Sequence, residues 1–383
     1  MRCQLKKAQF DAMCRTIKKS CARAILTIAV SGCLVANAQT PNASERITLD
    51  NQTLDPAIQA MLAEDAARFA KPDPNANVET PEGRAVIRSQ QTQIWSSRTA
   101  EPPELHSITD NQIATSNGSS IPVRIYKPTP EEKLPILVYY HGGGWFIGGI
   151  EASDRQLRQF AVDANAIVVS VEYRLSPEAK YPAAWNDAEH AFEWTVTNAK
   201  ALGGASDAVC VGGDSAGGNL SHAVTARQLD QKEIVPLCQV LYFPAVDNRR
   251  IADMRETYQS SNLFGEGFAL DGAFTEYVLS IVFPGKDLTA PEISPLFDEP
   301  RQMPPTLIAV AGFDPLRDSQ RAYAAKLVSE GNDVIYREFP SLIHGFIQHT
   351  AVTRNAVRAA QETAVAAGRL AREAIAAHKA KGR

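Results

Sequence analysis

Three residues at widely spaced positions have the types needed for acyl transfer: Ser215, Asp314 and His344. A serine hydroxyl attacks a carbonyl poorly at neutral pH unless an imidazole takes its proton. The imidazole in turn needs a carboxylate to hold its tautomer and favour its charged form. Ser215 lies in the stretch VCVGGDSAGGNL, between Gly213 and Gly217. Serines in glycine-rich turns ordinarily only shape the backbone. Its flanks, and residues far from it in the chain, therefore decide its role.

Ser215 follows the apolar run AVCVGG (208–213) and precedes a helix-length stretch, Asn219 to Leu229. A sharp strand-to-helix turn lifts a serine hydroxyl above the sheet edge, beside a helix N-terminus. Asp314 follows the run PTLIAVAG (305–312), and His344 follows DVIYREF (333–339). The order serine, acid, histidine is the one expected for a triad on such a sheet. His222 is seven residues past Ser215 on the same helix. That is roughly 10 Å along the axis, too far for a hydrogen bond. His141 belongs to a glycine loop and is expected to support it, while His190 in mid-helix, His349 at the start of the last helix, and the peripheral His106 and His378 are expected to be surface or structural. Asp318, one turn beyond Asp314, is the alternative acid; its expected role is a helix or loop hydrogen bond.

A second feature suits the same chemistry. After LPILVYY (134–140) comes His141-Gly142-Gly143-Gly144-Trp145. Consecutive glycines after a buried strand turn the backbone sharply and leave N–H groups without strand partners. The N–H groups of Gly143, Gly144 and Ala216, the residue after the serine, would point into one space and stabilise a developing oxyanion.

These loops need a scaffold. Apolar runs of strand length lie at 134–140, 166–173, 208–213, 236–243, 305–312 and 333–339, with amphipathic stretches between most of them. A hairpin is read at Ile113 to Thr115 and Ile121 to Tyr126 around Asn117-Gly118. Strands apolar on both faces that alternate with helices indicate a mostly parallel sheet covered on both sides. About eight strands are expected, in an α/β fold. Ligands on such sheets bind beyond the C-terminal strand ends, which is where every candidate residue lies. Residues 54–94 read as helical, with Asp55-Pro56 and Thr80-Pro81-Glu82 as helix starts. Residues 248–280 also read as helical, so the two segments would together cover the strand ends.

Five stretches, HGGGW, YRLSPE (Tyr173 to Glu178), GDSAGG, DPLRD (Asp314 to Asp318) and HGF (His344 to Phe346), occur in this order. With them the chain resembles the hormone-sensitive-lipase-like branch of the α/β-hydrolases, bacterial carboxylesterases among them, over roughly residues 50–375. The resemblance implies an eight-stranded α/β-hydrolase core with a helical cap. It maps the triad onto Ser215, Asp314 and His344, and the oxyanion hole onto Gly143, Gly144 and Ala216. It implies a serine esterase that requires neither metal nor cofactor.

A capped site is a bounded, mostly apolar pocket. Trp145, Phe264, Phe268, Phe274 and Tyr277 are candidates for its wall, and Trp145 and Asp214 are assigned to substrate binding. Without a long apolar lid segment, short or medium acyl esters are expected over lipid droplets. An amide, lactone or acetylated sugar would suit the same triad, as would acyl transfer to an alcohol. A non-catalytic binder would be expected to lack the histidine that here is His344.

The remaining features bound the setting. The 383-residue chain carries a formal charge of −4. Seven basic residues (Arg2, Lys6, Lys7, Arg15, Lys18, Lys19, Arg23) and one acid (Asp11) precede the apolar run Ala24 to Ala38. Basic region, short apolar run and the small-residue site Ala36-Asn37-Ala38 read as a signal peptide for a periplasmic or secreted protein, with Met13 as an alternative start. The run is too short for a membrane span. A rival reading lipidates Cys33, although Leu34 and Val35 carry the apolar run past it. Removing 1–38 leaves a body near −10, which excludes nucleic acid and anionic membranes as expected partners. The expected partner is a small-molecule ester, and a homodimer is compatible with the composition. Cys210 and Cys238 are expected to be separate buried hydrophobes rather than a disulfide, and no His/Cys cluster has zinc spacing.

Overall fold

The computed structural model describes residues 46–381 apart from 71–72, 116–117, 119 and 232–233. The segment read as an export signal, with Cys33 and Ala38, lies outside the described residues, as does Asn117 of the expected hairpin turn.

The chain opens with a small antiparallel ribbon, β1 (Thr48–Leu49) and β2 (Gln52–Thr53), followed by helices α1 (Pro56–Phe69) and α2 (Pro81–Arg98). Both helices begin as their residues dictate. The Asp55 carboxylate accepts from the Ala57 and Ile58 N–H groups, the Thr80 hydroxyl accepts from Gly83, and a proline at the first position has no N–H to satisfy. Each then buries one stripe, Ile58 and Met61 on α1 and Ile87 and Ile94 on α2.

The core follows. Its strands are β3 (Ser107–Ala114), β4 (Ser120–Lys127), β5 (Leu134–Tyr140), β6 (Ile167–Val171), β7 (Gly204–Asp214), β8 (Gln239–Tyr242), β9 (Thr306–Phe313) and β10 (Val334–Ile343). Its helices are α3 (Ile150–Ala164), α4 (Ala183–Asn198), α5 (Ala216–Gln231), α9 (Arg317–Ser329) and α10 (Arg354–Lys381). Between β8 and β9 three helices interrupt the alternation: α6 (Ile251–Thr257), α7 (Gln259–Phe264) and α8 (Gly272–Val282). The eight core strands form one sheet in the order β10-β9-β8-β7-β5-β6-β4-β3. It is parallel from β10 to β6, while β4 and β3 run antiparallel at one edge.

Every residue of β5 and of β9 is buried. Successive side chains leave opposite faces of a strand, so β5 feeds two layers. Ile136, Val138 and Tyr140 join Trp185, Phe192 and Leu220 on one face. Leu137 and Tyr139 join Leu157, Phe160 and Leu370 on the other. This double covering keeps the strand ends in register at the cap side of the sheet.

Three expectations change here. Cys210 and Cys238 are disulfide-bonded, joining β7 to the approach of β8 across 28 residues. Neighbouring parallel strands bring their Cα atoms to 4.8 Å, a separation that spacing along the chain does not reveal. Strand β3 begins at Ser107, six residues before the expected start, because its first six residues (SITDNQ) are polar apart from Ile108 and lie on the sheet edge. His349 does not begin the last helix. It is buried at 4% exposure in the turn before α10.

Candidate active site

The strand ends deliver the site. Strand β7 ends at Asp214, and α5 starts at Ala216, so Ser215 alone makes the turn. Its φ of +54° is left-handed, a conformation that costs an L-residue about 1–2 kcal/mol. Hydrogen bonds hold it there: the Ser215 N–H donates to the Tyr242 carbonyl at 2.9 Å, and the Ser215 carbonyl accepts from Ala245 at 3.0 Å. The flanking glycines are required by close approach. A Cβ on Gly217 would lie 1.8 Å from the Tyr140 carbonyl oxygen, and one on Gly213 would lie 2.3 Å from the same atom.

The turn places Ser215 Oγ 3.0 Å from His344 Nε2, and His344 Nδ1 is 2.8 Å from Asp314 Oδ2. Asp314 is fully buried, and its second oxygen accepts from the Leu316 N–H at 2.8 Å. With Nδ1–H donating to this carboxylate, Nε2 is left as the acceptor for the serine proton. The ring also packs on Phe243, centroid to centroid 4.7 Å. Three elements remote in sequence thus make one hydrogen-bonded chain.

Opposite lies the glycine loop. Gly143 (φ +115°) and Gly144 (φ +62°) are both left-handed. The Gly143 carbonyl accepts from Phe146 at 3.1 Å and Ile147 at 3.0 Å. Among the described residues no acceptor takes the N–H of Gly143, Gly144 or Ala216. These residues, Ser215 and His344 line one cavity of about 180 Å³. His141 sits behind the loop, with Nδ1 2.8 Å from the Gly142 carbonyl and its ring stacked on Tyr173 at 4.1 Å.

Asp214 lines the cavity, but its carboxylate is engaged by the scaffold. Oδ1 accepts from Tyr139 Oη at 2.7 Å and from the Gly142 N–H at 2.9 Å, and Oδ2 accepts from Gln348 at 3.4 Å. Complete burial pushes its pKa up, against the opposing pull of these donors. Asp314 and Asp214 therefore divide the work: one carboxylate faces the imidazole, the other anchors the glycine loop.

The aromatic candidates separate. Trp145 and Phe274 line the cavity, although Trp145 also packs on Trp185 and Phe283 at 5.4 and 5.3 Å. Phe264 and Phe268 pack on Phe313 at 5.1 and 5.6 Å, and Tyr277 stands edge-on to Phe146 at 5.9 Å; none of the three lines the cavity. The rest of the wall comes from both cap segments: Met61, Leu62 and Phe69 of α1, Ile94, Trp95 and Arg98 of α2, and Met254, Leu270, Val278 and Leu279 of the second segment. Their helical spacing is the same signal that marks any core stripe, so sequence alone does not separate them from packing residues.

The other titratable residues serve the frame. His222 is buried against Tyr323 Oη (2.8 Å) and Asp298 (3.3 Å). His349 lines the cavity wall with a pKa pushed down to about 3, first by burial and then by Arg98. His190 Nδ1 lies 2.8 Å from the Asn186 carbonyl, one turn earlier in its own helix, to which it donates, and His106 and His378 are exposed. Asp318 accepts from the Ser260 N–H at 2.8 Å and its own N–H donates to Ser260 Oγ, so it ties α7 to the turn that carries Asp314.

Comparison with known proteins bears on the fold and the family. Residues 137–348 match the family model described as the alpha/beta hydrolase fold. The carboxylic ester hydrolase LipN of Mycobacterium tuberculosis is 36% identical over 322 residues, 80% of each chain. Carboxylesterase NlhH of the same organism is 33% identical, over 82% of this chain and 94% of its own. The crystal structure of an alpha/beta hydrolase enzyme from the metagenome of Lake Arreo, Spain, superposes with a TM-score of 0.75 at 34% identity, covering 82% of this chain and 98% of that one. The hyperthermophilic esterase of Pyrobaculum calidifontis follows with 0.73 at 31%, covering 83% and 99%. With the family model spanning more than half of the sequence and curated relatives aligned over four fifths of it, the chain belongs to the α/β-hydrolase fold family, in its hormone-sensitive-lipase-like branch.

Proposed function

We propose that this protein is a serine carboxylesterase that cleaves short- to medium-chain esters through an acyl-enzyme on Ser215. The observation that carries the reading is the hydrogen-bonded chain from Ser215 through His344 to Asp314, facing the free N–H groups of Gly143, Gly144 and Ala216 across one cavity. His344 takes the Ser215 proton as the hydroxyl attacks the ester carbonyl, and Asp314 stabilises the imidazolium. The three N–H groups donate to the carbonyl oxygen as negative charge develops on it. His344 then protonates the leaving alcohol. Water, deprotonated by the same ring, attacks the acyl-enzyme and releases the acid.

The cap supports the chain-length part of the reading. Both cap segments close over the strand ends, so the acyl chain enters a bounded space rather than an open groove. Among relatives, an ethyl acetate hydrolase of Pseudomonas putida is 32% identical over 256 residues. An ester hydrolase from the Lake Arreo metagenome has been solved in complex with a bipyridine phosphonate derivative.

Export to the periplasm or medium completes the proposal. The basic and apolar N-terminal segment suggests it, and the Cys210–Cys238 disulfide supports it, since such bonds persist in oxidising compartments.

The test is hydrolysis of p-nitrophenyl esters from two to sixteen carbons by the wild type and by Ser215→Ala and His344→Ala. Turnover of short esters, with both variants reduced by about 1,000-fold or more, is the expected result. A preference for the palmitoyl ester would refute the chain-length assignment, and full activity in Ser215→Ala would refute the mechanism.

A further inference from the structure

The oxyanion loop is held from outside the catalytic core. Arg88, on cap helix α2, donates from Nε to the Phe146 carbonyl at 2.9 Å and from Nη2 to the Ser176 carbonyl at 3.0 Å. Its guanidinium also meets both oxygens of Glu178, at 3.2 and 2.8 Å, and lies 5.6 Å from the centroid of the Phe146 ring. Arg84, one turn earlier, reaches the same Glu178 at 2.7 Å. The Ser176 N–H donates to the Trp145 carbonyl at 2.8 Å. One side chain therefore clamps Trp145-Phe146 against Ser176-Glu178 from the cap.

What this does to the site follows from peptide geometry. A trans peptide is planar, and its C=O and N–H point in opposite directions. The peptide joining Gly143 to Gly144 has its carbonyl gripped by the Phe146 and Ile147 N–H groups. That grip aims the Gly144 N–H the other way. It is only as firm as the backbone that supplies it, and Trp145, in between, has a left-handed φ of +56°. A non-glycine residue in that region costs about 1–3 kcal/mol and persists only where its surroundings impose it. Arg88 and Ser176 supply that imposition, one on each carbonyl of the Trp145-Phe146 pair.

We propose that Arg88 is a positioning residue for the oxyanion site: from the cap, it fixes the loop whose amides face Ser215, so that docking of α2 sets the alignment of the Gly144 N–H. The inference rests on the esterase reading above. It also makes the first cap segment part of the apparatus for catalysis as well as for substrate fit.

The experiment compares the wild type with Arg88→Gln and Arg88→Lys. It measures kcat and KM for p-nitrophenyl butyrate, the inhibition constant of an alkyl trifluoromethyl ketone, and Tm. The ketone adds to Ser215 and places an oxyanion where the transition state does. Losing a whole oxyanion donor costs about 100- to 1,000-fold, so a misaimed one is expected to cost about tenfold. In Arg88→Gln kcat falls about tenfold, the ketone binds more weakly by the same factor, and KM stays within about twofold. Arg88→Lys is intermediate, because one ammonium reaches one carbonyl where the guanidinium fork reaches two. If kcat and ketone binding stay unchanged in both variants while Tm falls, Arg88 is a strut and the proposal is overturned. A change in KM alone also overturns it. If Arg88→Gln fails to fold, Arg88→Lys alone decides by the same readouts. A wild type with no turnover and no ketone inhibition overturns the esterase reading and this inference together.

Discussion

Replacing Asp214 in two ways separates its charge from its geometry. In Asp214→Ala the Tyr139 hydroxyl and the Gly142 N–H, now 2.7 and 2.9 Å from one carboxylate oxygen, lose their acceptor. Each buried donor left unsatisfied costs about 1–3 kcal/mol, so the variant is expected to lose about 2–6 kcal/mol. Asp214→Asn keeps one oxygen for both donors. Its amide nitrogen then faces Gln348, whose own amide can turn to present oxygen. This variant is expected to stay within about 1 kcal/mol of the wild type, the scale of one ordinary hydrogen bond. Charge even favours it at neutral pH. The folded pKa of Asp214 is raised by burial above the ordinary aspartate value of 3.8. The folded state therefore holds its proton where the unfolded chain has lost it. The group's contribution to stability is full below about pH 3.8 and is lost as pH rises through the folded value. Asp214→Asn lacks that loss. Urea unfolding followed by tryptophan fluorescence measures the stabilities, and p-nitrophenyl butyrate turnover reports on the loop. Activity should fall at least tenfold in Asp214→Ala, because Gly142 is freed beside the oxyanion amides. If Asp214→Asn is as unstable as Asp214→Ala, or if Asp214→Ala is as stable as the wild type, the reasoning fails.

Two further predictions concern stability. Closing a loop of 28 residues with the Cys210–Cys238 disulfide should stabilise the fold by about 3–4 kcal/mol through the unfolded chain. The double variant Cys210→Ala/Cys238→Ala should lose that much in urea, and alkylation of Cys210 and Cys238 themselves in the denatured, unreduced wild type, located by peptide mapping, would contradict the bond. His349 has a folded pKa of about 3 against an ordinary 6.5. Between those values the unfolded chain binds a proton that the fold refuses, so stability should decline on acidification by up to about 1.4 kcal/mol per pH unit. His349→Gln should flatten that decline, and an unchanged slope would remove His349 as its cause.

The proposed catalytic residues were legible because each follows a strand-length run, at 208–213, 305–312 and 333–339, and strand ends converge at one side of a parallel sheet. Ser215 was read from its flanks together with the distant stretches that carry Asp314, His344 and the glycine loop. Where a residue's role depends on what lies across space, the flanks said nothing. Phe264 and Phe268 have the same character as Phe274, yet their rings turn to Phe313 while Phe274 reaches the cavity. Asp214 adjoins Ser215 and looked like part of the substrate pocket; its contact with Tyr139 crosses from β7 to β5. Arg88 and Glu178 are 90 residues apart, and nothing in either local pattern couples them. The mostly polar first six residues of β3 show the limit of apolar runs as a strand signal, because an edge strand need not be buried.

The ends of the described chain grip each other. The Asp55 carboxylate that caps α1 also accepts from Thr353 and Asn355, and the Asp55 N–H donates to the Ser341 carbonyl. Asp50 pairs with the buried Arg317 at 2.6 Å, and Gln52 reaches Glu338. Synthesis runs from the amino end, so the first cap helices are made long before the residues that seat them. Until β10 and the start of α10 have been made, Asp55 lacks Ser341, Thr353 and Asn355, the cluster around Ile58 and Met61 lacks Phe339, Leu342, Ile343 and Ala356, and the cavity lacks one wall. A nascent chain of this protein is therefore a holding problem before it is a folding problem: the apolar stripe of its first cap helix must be kept from other chains until residues about 300 positions later have been made.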